Sequence, residues 1–256
     1  MHKVYFVGSG PGDPELLTIK AKKLIQKADT VVFSGSLLNP KILKLCKKAE
    51  LHDASKLVRE EIFDILKNDA LKGKFVVRLH DGDPTIYGAI REQMDNLKEI
   101  GIKSEIVPGV SSVLASAATL GTELTLPGVT QTIIITRPES RTAVPKRESI
   151  SELAKHKATM VFYLVVHLIG DIVKEATSGG YPNSTPAAVV YRASWSDEKI
   201  IRGTLKDIAQ KTRQEKITRT AIVIIGDVIK PKSYEYSRLY DKTFSHGFRK
   251  AKIRSQ

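Results

Sequence analysis

Short strand-like runs alternate with helical patterns through the first half of this chain, and that alternation narrows the possible folds sharply. Residues 4–7, 30–33, 51–53, 75–79 and 104–107 read as strands, while helices are expected after Leu17 and over 40–48, 58–72, 89–100 and 113–119. The run at 4–7 is continuously apolar, as suits a strand covered on both faces. Leu17, Ala21, Leu24 and Ala28 share one face of the first helix, with Lys20, Lys23 and Lys27 elsewhere. In the helix over 58–72, Val58, Ile62, Ile65 and Leu66 are expected to point inward. Repeated strand–helix–strand units imply a mostly parallel sheet joined by right-handed crossovers.

The pattern breaks at 124–130, where a Pro-Gly turn reads as a linker between a domain over 1–123 and another over 131–256. The second half has strand-like runs at 132–136, 159–166, 187–191, 199–203 and 221–225, with helices expected over 168–176 and 206–214. The short turn Ser194-Trp195-Ser196-Asp197 looks like the bend of an antiparallel hairpin, so this half is expected to hold a mixed sheet. The fold class is therefore α/β, with two α/β domains.

A chain of 256 residues with 41% hydrophobic content can bury a substantial core. It has no apolar run long enough for a membrane span, and Met1-His2-Lys3 does not open a signal peptide, so a cytoplasmic protein with no membrane partner is expected. One cysteine, Cys46, excludes an intrachain disulfide and a cysteine-built zinc site, and it reads as a helix-face residue without chemistry. The six histidines include no i, i+4 pair and no His-x-His, so no protein-bound metal is expected. A net charge of +13 calls for an anionic partner: nucleic acid, an acidic membrane surface, or a small molecule with several carboxylates. Part of that excess, Arg249, Lys250, Lys252 and Arg254, lies in the last residues and reads as a solvated tail.

Two loops follow strands and carry ligand-binding chemistry. The first is Gly8-Ser9-Gly10-Pro11-Gly12-Asp13-Pro14, whose Gly-x-Gly-x-Gly order departs from the Gly-x-Gly-x-x-Gly of dinucleotide sites, and whose prolines remove amide donors a pyrophosphate would use. The second is His80-Asp81-Gly82-Asp83-Pro84-Thr85-Ile86-Tyr87-Gly88, with two glycines that admit close approach or positive φ and a proline that holds Asp83 extended. Open α/β sheets place ligands at such carboxyl ends of strands. Glycine, aspartate and proline are also ordinary turn residues, so both readings stand on these residues alone. His80 either contacts substrate or is a neutral, hydrogen-bonded histidine at a strand end. Trp195 is either a packing anchor or a dimer contact.

Taken together, the 7–14 segment with Leu17-Thr18, the Gly82-Asp83-Pro84 loop with Tyr87-Gly88, Val107-Pro108-Gly109-Val110-Ser111-Ser112, and the Thr220-Ala221 strand entry resemble the tetrapyrrole methylase family of S-adenosylmethionine-dependent methyltransferases. These pieces stand in family order across nearly the whole chain. The 136–145 stretch, residues 88–94 and residues 195–200 resemble the branch that methylates C11 of precorrin-4 or cobalt-precorrin-4 in cobalamin biosynthesis. The resemblance implies a homodimer of two-domain chains with the active site in the cleft between the domains. It implies cofactor contacts from Pro11, Asp81, Gly82, Asp83, Ile86, Ser111, Ser112, Leu164, Ala193, Thr220 and Ala221, with S-adenosyl-L-methionine as cofactor and S-adenosyl-L-homocysteine as product. Two positions depart from the family pattern: Asp81 stands where a second glycine is frequent, and Ser34 where the siroheme-forming relatives carry an acid.

A sulfonium methyl is already electrophilic, so alignment of methyl, attacking carbon and leaving sulfur is the main requirement, and a dedicated base is optional. By motif the nearest candidates for one are Asp13, Asp83 and Tyr87. An anionic tetrapyrrole needs cationic anchors, and guanidinium forks suit carboxylates, which points to Arg137, Arg141 and Arg192 as substrate-binding residues. Any cobalt would arrive inside the substrate. The alternatives are a methyltransferase of the same family acting on RNA ribose or a diphthamide precursor, and a non-catalytic nucleic-acid-binding protein. The corrin-like 136–145 loop speaks against the first, and 6% aromatic content without a binding motif speaks against the second, so no nucleic-acid partner is expected.

Overall fold

The structure is a computed structural model that describes residues 2–140 and 142–251. It divides into two compact units. One holds the described chain up to Thr119 together with Val190–Ile200 and Thr220–Ile222; the other holds Leu120–Val189, Ile201–Arg219 and the chain from Val223 onward.

In the first unit the strands are β1 (Lys3–Gly8), β2 (Thr30–Phe33), β3 (Glu50–Asp53), β4 (Val76–His80) and β5 (Lys103–Val107). They form one sheet in the order β3-β2-β4-β1-β5, and each neighbouring pair is parallel. The helices are α1 (Ile19–Lys27), α2 (Pro40–Leu43), α3 (Arg59–Leu71), α4 (Arg91–Glu99) and α5 (Ser112–Leu120). Alternation along the strands divides the core into two layers. Val7, Val31, Val77 and Leu79 pack with Ala21 and Ile25 of α1 and Ile42 of α2. On the opposite face Val4, Phe6, Val32 and Val76 pack with Leu66 and Ala70 of α3 and Leu97 of α4. β4 is buried along its whole length, as expected of a central parallel strand covered on both sides.

The remaining strands are β6 (Ile133–Thr136), β7 (Thr159–Phe162), β8 (Pro186–Tyr191), β9 (Lys199–Thr204) and β10 (Ala221–Ile225), which form a second sheet in the order β6-β7-β10-β8-β9. β6 and β7 are parallel while β7 and β10 are antiparallel, so the sheet is mixed. Its helices are α6 (Ile150–Ala154), α7 (Ile169–Ser178) and α8 (Ile208–Gln214), which bury Ile150, Ile169, Ile172, Ala176 and Ile208.

Several details differ from the sequence reading. The division is not contiguous, because the segment after β8 hydrogen-bonds to the loop after β1 and joins the first unit. The expected linker at 124–130 is a closed turn of the second unit, with Leu126 N donating to Thr130 O at 2.7 Å and Leu124 O accepting from the Thr159 hydroxyl at 2.8 Å. The helix expected over 40–48 ends at Leu43, where shorter bonds such as Cys46 N to Leu43 O take over. Val58 is 60% exposed because it is the extended residue that precedes α3, its N–H bonded to the Glu61 carboxylate. Arg249 organises its own segment by donating to the carbonyls of Leu239 (2.8 Å) and Asp241 (2.6 Å) instead of lying free, while Lys252 and Arg254 lie outside the described residues. Among the described residues no helix is long and apolar enough to cross a membrane.

Candidate active site

The loops at the carboxyl ends of three adjacent strands, β4, β1 and β5, meet in the first unit. Gly10 and Gly82 form a backbone bridge: Gly82 N donates to Gly10 O at 2.8 Å and Gly10 N to Gly82 O at 3.2 Å. Both residues have positive φ, +71° and +60°, which glycine adopts without the steric cost a Cβ brings. The third loop closes on the same point, since a Cβ on Gly109 would lie 2.2 Å from Gly82 O and one on Gly8 2.6 Å from Gly109 N. A Cβ on Gly82 would meet only backbone, Ser112 N at 3.7 Å and Ser111 Cα at 3.9 Å, so no side chain crowds this face of the turn. It is a cradle of backbone.

Asp83 braces that cradle. Its Oδ1 accepts from the Thr85 amide at 2.8 Å and from the Thr85 hydroxyl, and its Oδ2 accepts from Gly109 N at 2.9 Å. Burial opposes ionisation, but these donors outweigh it and hold the carboxyl below its usual range. Asp13 is similarly engaged: its Oδ1 accepts from Glu15 N at 2.9 Å, capping a short turn, and its own N–H donates to Ser194 Oγ at 3.1 Å. Ser194 N in turn donates to Glu198 Oε2 at 2.6 Å, which also accepts from the Thr119 hydroxyl at 2.9 Å.

Trp195 lies over Gly12 so closely that a Cβ there would be 2.0 Å from the indole nitrogen, and that nitrogen donates to Pro11 O at 2.9 Å. Trp195 is thus a packing anchor for the loop after β1. Trp195→Phe keeps the ring and removes the donor; it should lower the melting temperature by about 2–4 °C for the loss of one part-buried hydrogen bond, as a thermal melt would read. Arg192 stands beside it, its guanidinium 4.7 Å from the Trp195 ring centre and 5.0 Å from that of Tyr191, and ion-paired with Asp197.

The sequence model of the Tetrapyrrole (Corrin/Porphyrin) Methylases matches residues 3–209. The chain belongs to this family. Among its relatives, the cobalt-precorrin-4 C(11)-methyltransferase of Methanocaldococcus jannaschii is 56% identical over 97% of this chain and 96% of that protein. The enzyme of the same name from Priestia megaterium is 46% identical over 97% of this chain and 98% of that one. Among solved structures, a cobalt precorrin-4 methyltransferase superposes with a TM-score of 0.87 at 44% identity, covering 90% of this chain and 97% of that one. A uroporphyrin-III C-methyl transferase from Thermus thermophilus complexed with S-adenyl homocysteine superposes with a TM-score of 0.75 at 31% identity, covering 91% and 96%.

In this methylase most of the expected cofactor positions fall in the first unit. Gly82, Asp83, Ser111 and Ser112 meet at the cradle, and Ile86 N closes the same turn onto Asp83 O at 3.3 Å. Pro11 belongs to the loop bridged to it through Gly10. Ala193 is buried between Arg192 and Ser194, both at positive φ, and Arg192 N donates to Thr220 O at 2.9 Å next to the buried Ala221. Asp81 follows β4 half-buried, and burial raises its carboxyl against the opposing charge of Arg78. Tyr87 is 44% exposed at φ +56°. Leu164 belongs to the second unit and stands at φ +64°. Arg137, also there, spends its guanidinium on its own loop, donating to the carbonyls of Thr142 at 3.0 Å and Ala143 at 3.3 Å. Arg141 lies outside the described residues. Sequence reading missed Ser194 and Glu198, whose roles depend on contacts more than 75 positions away in the chain.

His80 is buried near the Phe6 ring, and its Nε2 has no hydrogen-bond partner. Burial, reinforced by the Arg78 charge, pulls its pKa down to about 3, against a smaller pull from Asp83. The unfolded chain, with an ordinary histidine near pH 6.5, takes up the proton first. The folded state is therefore penalised increasingly as pH falls from about 6.5 towards 3, and the penalty is absent above that window. His80→Gln should flatten that part of the acid limb in a series of melting temperatures against pH.

The structure also groups Glu50, His52 and Asp69, their ligand-type atoms all within 4.8 Å of one another, which histidine spacing did not reveal. The Lys74 ammonium already sits among them, 3.0 Å from Asp69 Oδ2 and 3.5 Å from Glu50 Oε2, and supplies the counter-charge a cation would bring.

Proposed function

We propose that this methylase transfers the methyl group of S-adenosyl-L-methionine to C11 of precorrin-4 in its cobalt-containing form, a step of corrin-ring construction in cobalamin biosynthesis. The observation that carries the reading is the backbone cradle where the loops of β1, β4 and β5 meet at Gly10, Gly82 and Gly109. The high identity to cobalt-precorrin-4 C(11)-methyltransferases supports the substrate, and neither the RNA and diphthamide alternatives nor a binding-only module is favoured.

The cradle fits the cofactor, because it offers backbone and small side chains at a point no Cβ obstructs. When bound, the sulfonium supplies the electrophilic methyl. The residues of the chain hold it: Gly82, Ser111 and the start of α5 at Ser112 give close backbone approach, and Asp83 fixes the two loops against each other. Such positioning can remove about 7–11 kcal/mol of barrier. Asp13 and Asp83 act through the loops they brace, and we assign no catalytic base.

Arg192 is the substrate anchor, since aromatic faces and Asp197 fix its guanidinium while its side chain stays 28% exposed. Arg137 supports substrate by bracing the carbonyls of Thr142 and Ala143. Cobalt enters with the substrate, and no metal of the protein's own is invoked. On the family resemblance we further propose a homodimer in the cytoplasm. Calorimetric titration with S-adenosylhomocysteine tests the cofactor reading: saturable binding is expected, and absence of binding to the folded protein would overturn it.

A further inference from the structure

Arg78 lies in the middle of the central strand β4, paired with Phe6 of β1 on one side and Val32 of β2 on the other. It is only 5% exposed, on the face otherwise built from Val4, Phe6, Val32, Val76, Leu66 and Leu97. A guanidinium there gives up water and must find acceptors. It donates to Val32 O at 3.2 Å, Leu79 O at 3.4 Å and Gln93 Oε1 at 3.3 Å. All three acceptors are neutral oxygens, and burial lowers its pKa to about 10, so it stays charged at neutral pH.

The Gln93 bond fixes which way that amide points. With Oε1 towards Arg78, Nε2 faces the other way and donates to Ala89 O at 2.9 Å. Gln93, 9% exposed on α4, thus joins the buried strand to the exit of the loop after β4. That exit is the strained part of the loop. Tyr87 and Ala89 hold φ of +56° and +48°, and Gly88 between them has no room for a side chain, since a Cβ would lie 2.1 Å from Pro84 O. Left-handed conformations at residues with a Cβ persist where surroundings over-determine them. The entry of the loop is fixed by Asp83, and the Arg78–Gln93–Ala89 chain fixes its exit.

We propose that Arg78 and Gln93 are positioning residues for the candidate cofactor site: through the Ala89 carbonyl they hold the 81–89 loop in the shape that receives the S-adenosyl group. The proposal rests on the reading of this loop as the cofactor site. Gln93→Leu should raise the dissociation constant of S-adenosylhomocysteine about tenfold by calorimetry, since it removes the bond to Ala89 O that holds the loop and the acceptor for Arg78 behind it. Adding Ala89→Gly, which takes positive φ without strain, should bring the constant back to within about threefold of the wild type. A merely structural role would lower the melting temperature without this rescue of affinity.

Should Gln93→Leu fail to fold, Gln93→Glu is read in its place, since it keeps an acceptor for Arg78 and removes the donor to Ala89. Amide hydrogen exchange over residues 85–91 in the ligand-free protein reads the same link independently, and the variant should exchange about tenfold faster. Wild-type affinity in Gln93→Leu, no rescue by Ala89→Gly, or unchanged exchange would each overturn the proposal. If the wild type fails to bind S-adenosylhomocysteine, the cofactor reading falls and the exchange result alone decides the role of Gln93.

Discussion

Replacing Gly82 with valine should reduce S-adenosylhomocysteine affinity at least about 100-fold, close to 3 kcal/mol, while leaving the protein folded. Two effects combine. Gly82 holds φ at +60°, where a β-branched residue is a genuine steric outlier. Its backbone also bonds in both directions to Gly10, so relaxation at 82 would pull on the neighbouring loop. The valine branch would in addition occupy the space in front of Ser111 and Ser112 that a ligand needs. The two core layers lie on the strands below and are untouched, so near-ultraviolet circular dichroism and a cooperative melt should survive. Gly82→Ala should lose about tenfold, because it carries the backbone strain without the branch. Near-normal binding by folded Gly82→Val would remove the cradle from the cofactor site.

Arg192→Gln should raise the KM for the tetrapyrrole about thirtyfold and leave the dissociation constant of S-adenosylhomocysteine within about twofold, since a charge-assisted fork to a carboxylate contributes about 2 kcal/mol. The guanidinium lies over the Tyr191 and Trp195 rings and pairs with Asp197, so little freedom remains to be lost when substrate arrives. Arg192→Lys should fall between the two, because a point charge cannot reproduce the fork. Steady-state kinetics with each substrate varied separately checks both figures. An unchanged KM would transfer the anchoring role away from Arg192.

Much of the first unit was legible because its information is local. The apolar run of β1, the glycine-rich turns after β1 and β4, and the helical period of α1 each state their structure within a few residues, and all three lie where expected. The cradle was legible for the same reason: glycine and proline at a strand end leave few backbone choices. What sequence could not give depends on pairings between distant segments. The 190–200 segment joins the first unit through Ser194 and Trp195, whose partners at Asp13 and Pro11 are more than 180 positions away. Arg137 is expected as a substrate anchor from its loop position, and only the folded loop reveals that carbonyls at Thr142 and Ala143 engage its guanidinium. Arg78 interrupts an otherwise apolar strand, and that interruption was the one available sign of the buried link to Gln93.

One labelled turnover decides whether the methyl group reaches C11. The purified protein is incubated with cobalt-precorrin-4 and S-adenosylmethionine carrying a carbon-13 methyl group, and the product is read by mass spectrometry and carbon-13 NMR. A gain of one labelled methyl, bonded to C11, is expected, with release of S-adenosylhomocysteine in equal amount. A labelled methyl on another ring carbon, or no transfer by protein that binds the cofactor, would contradict it.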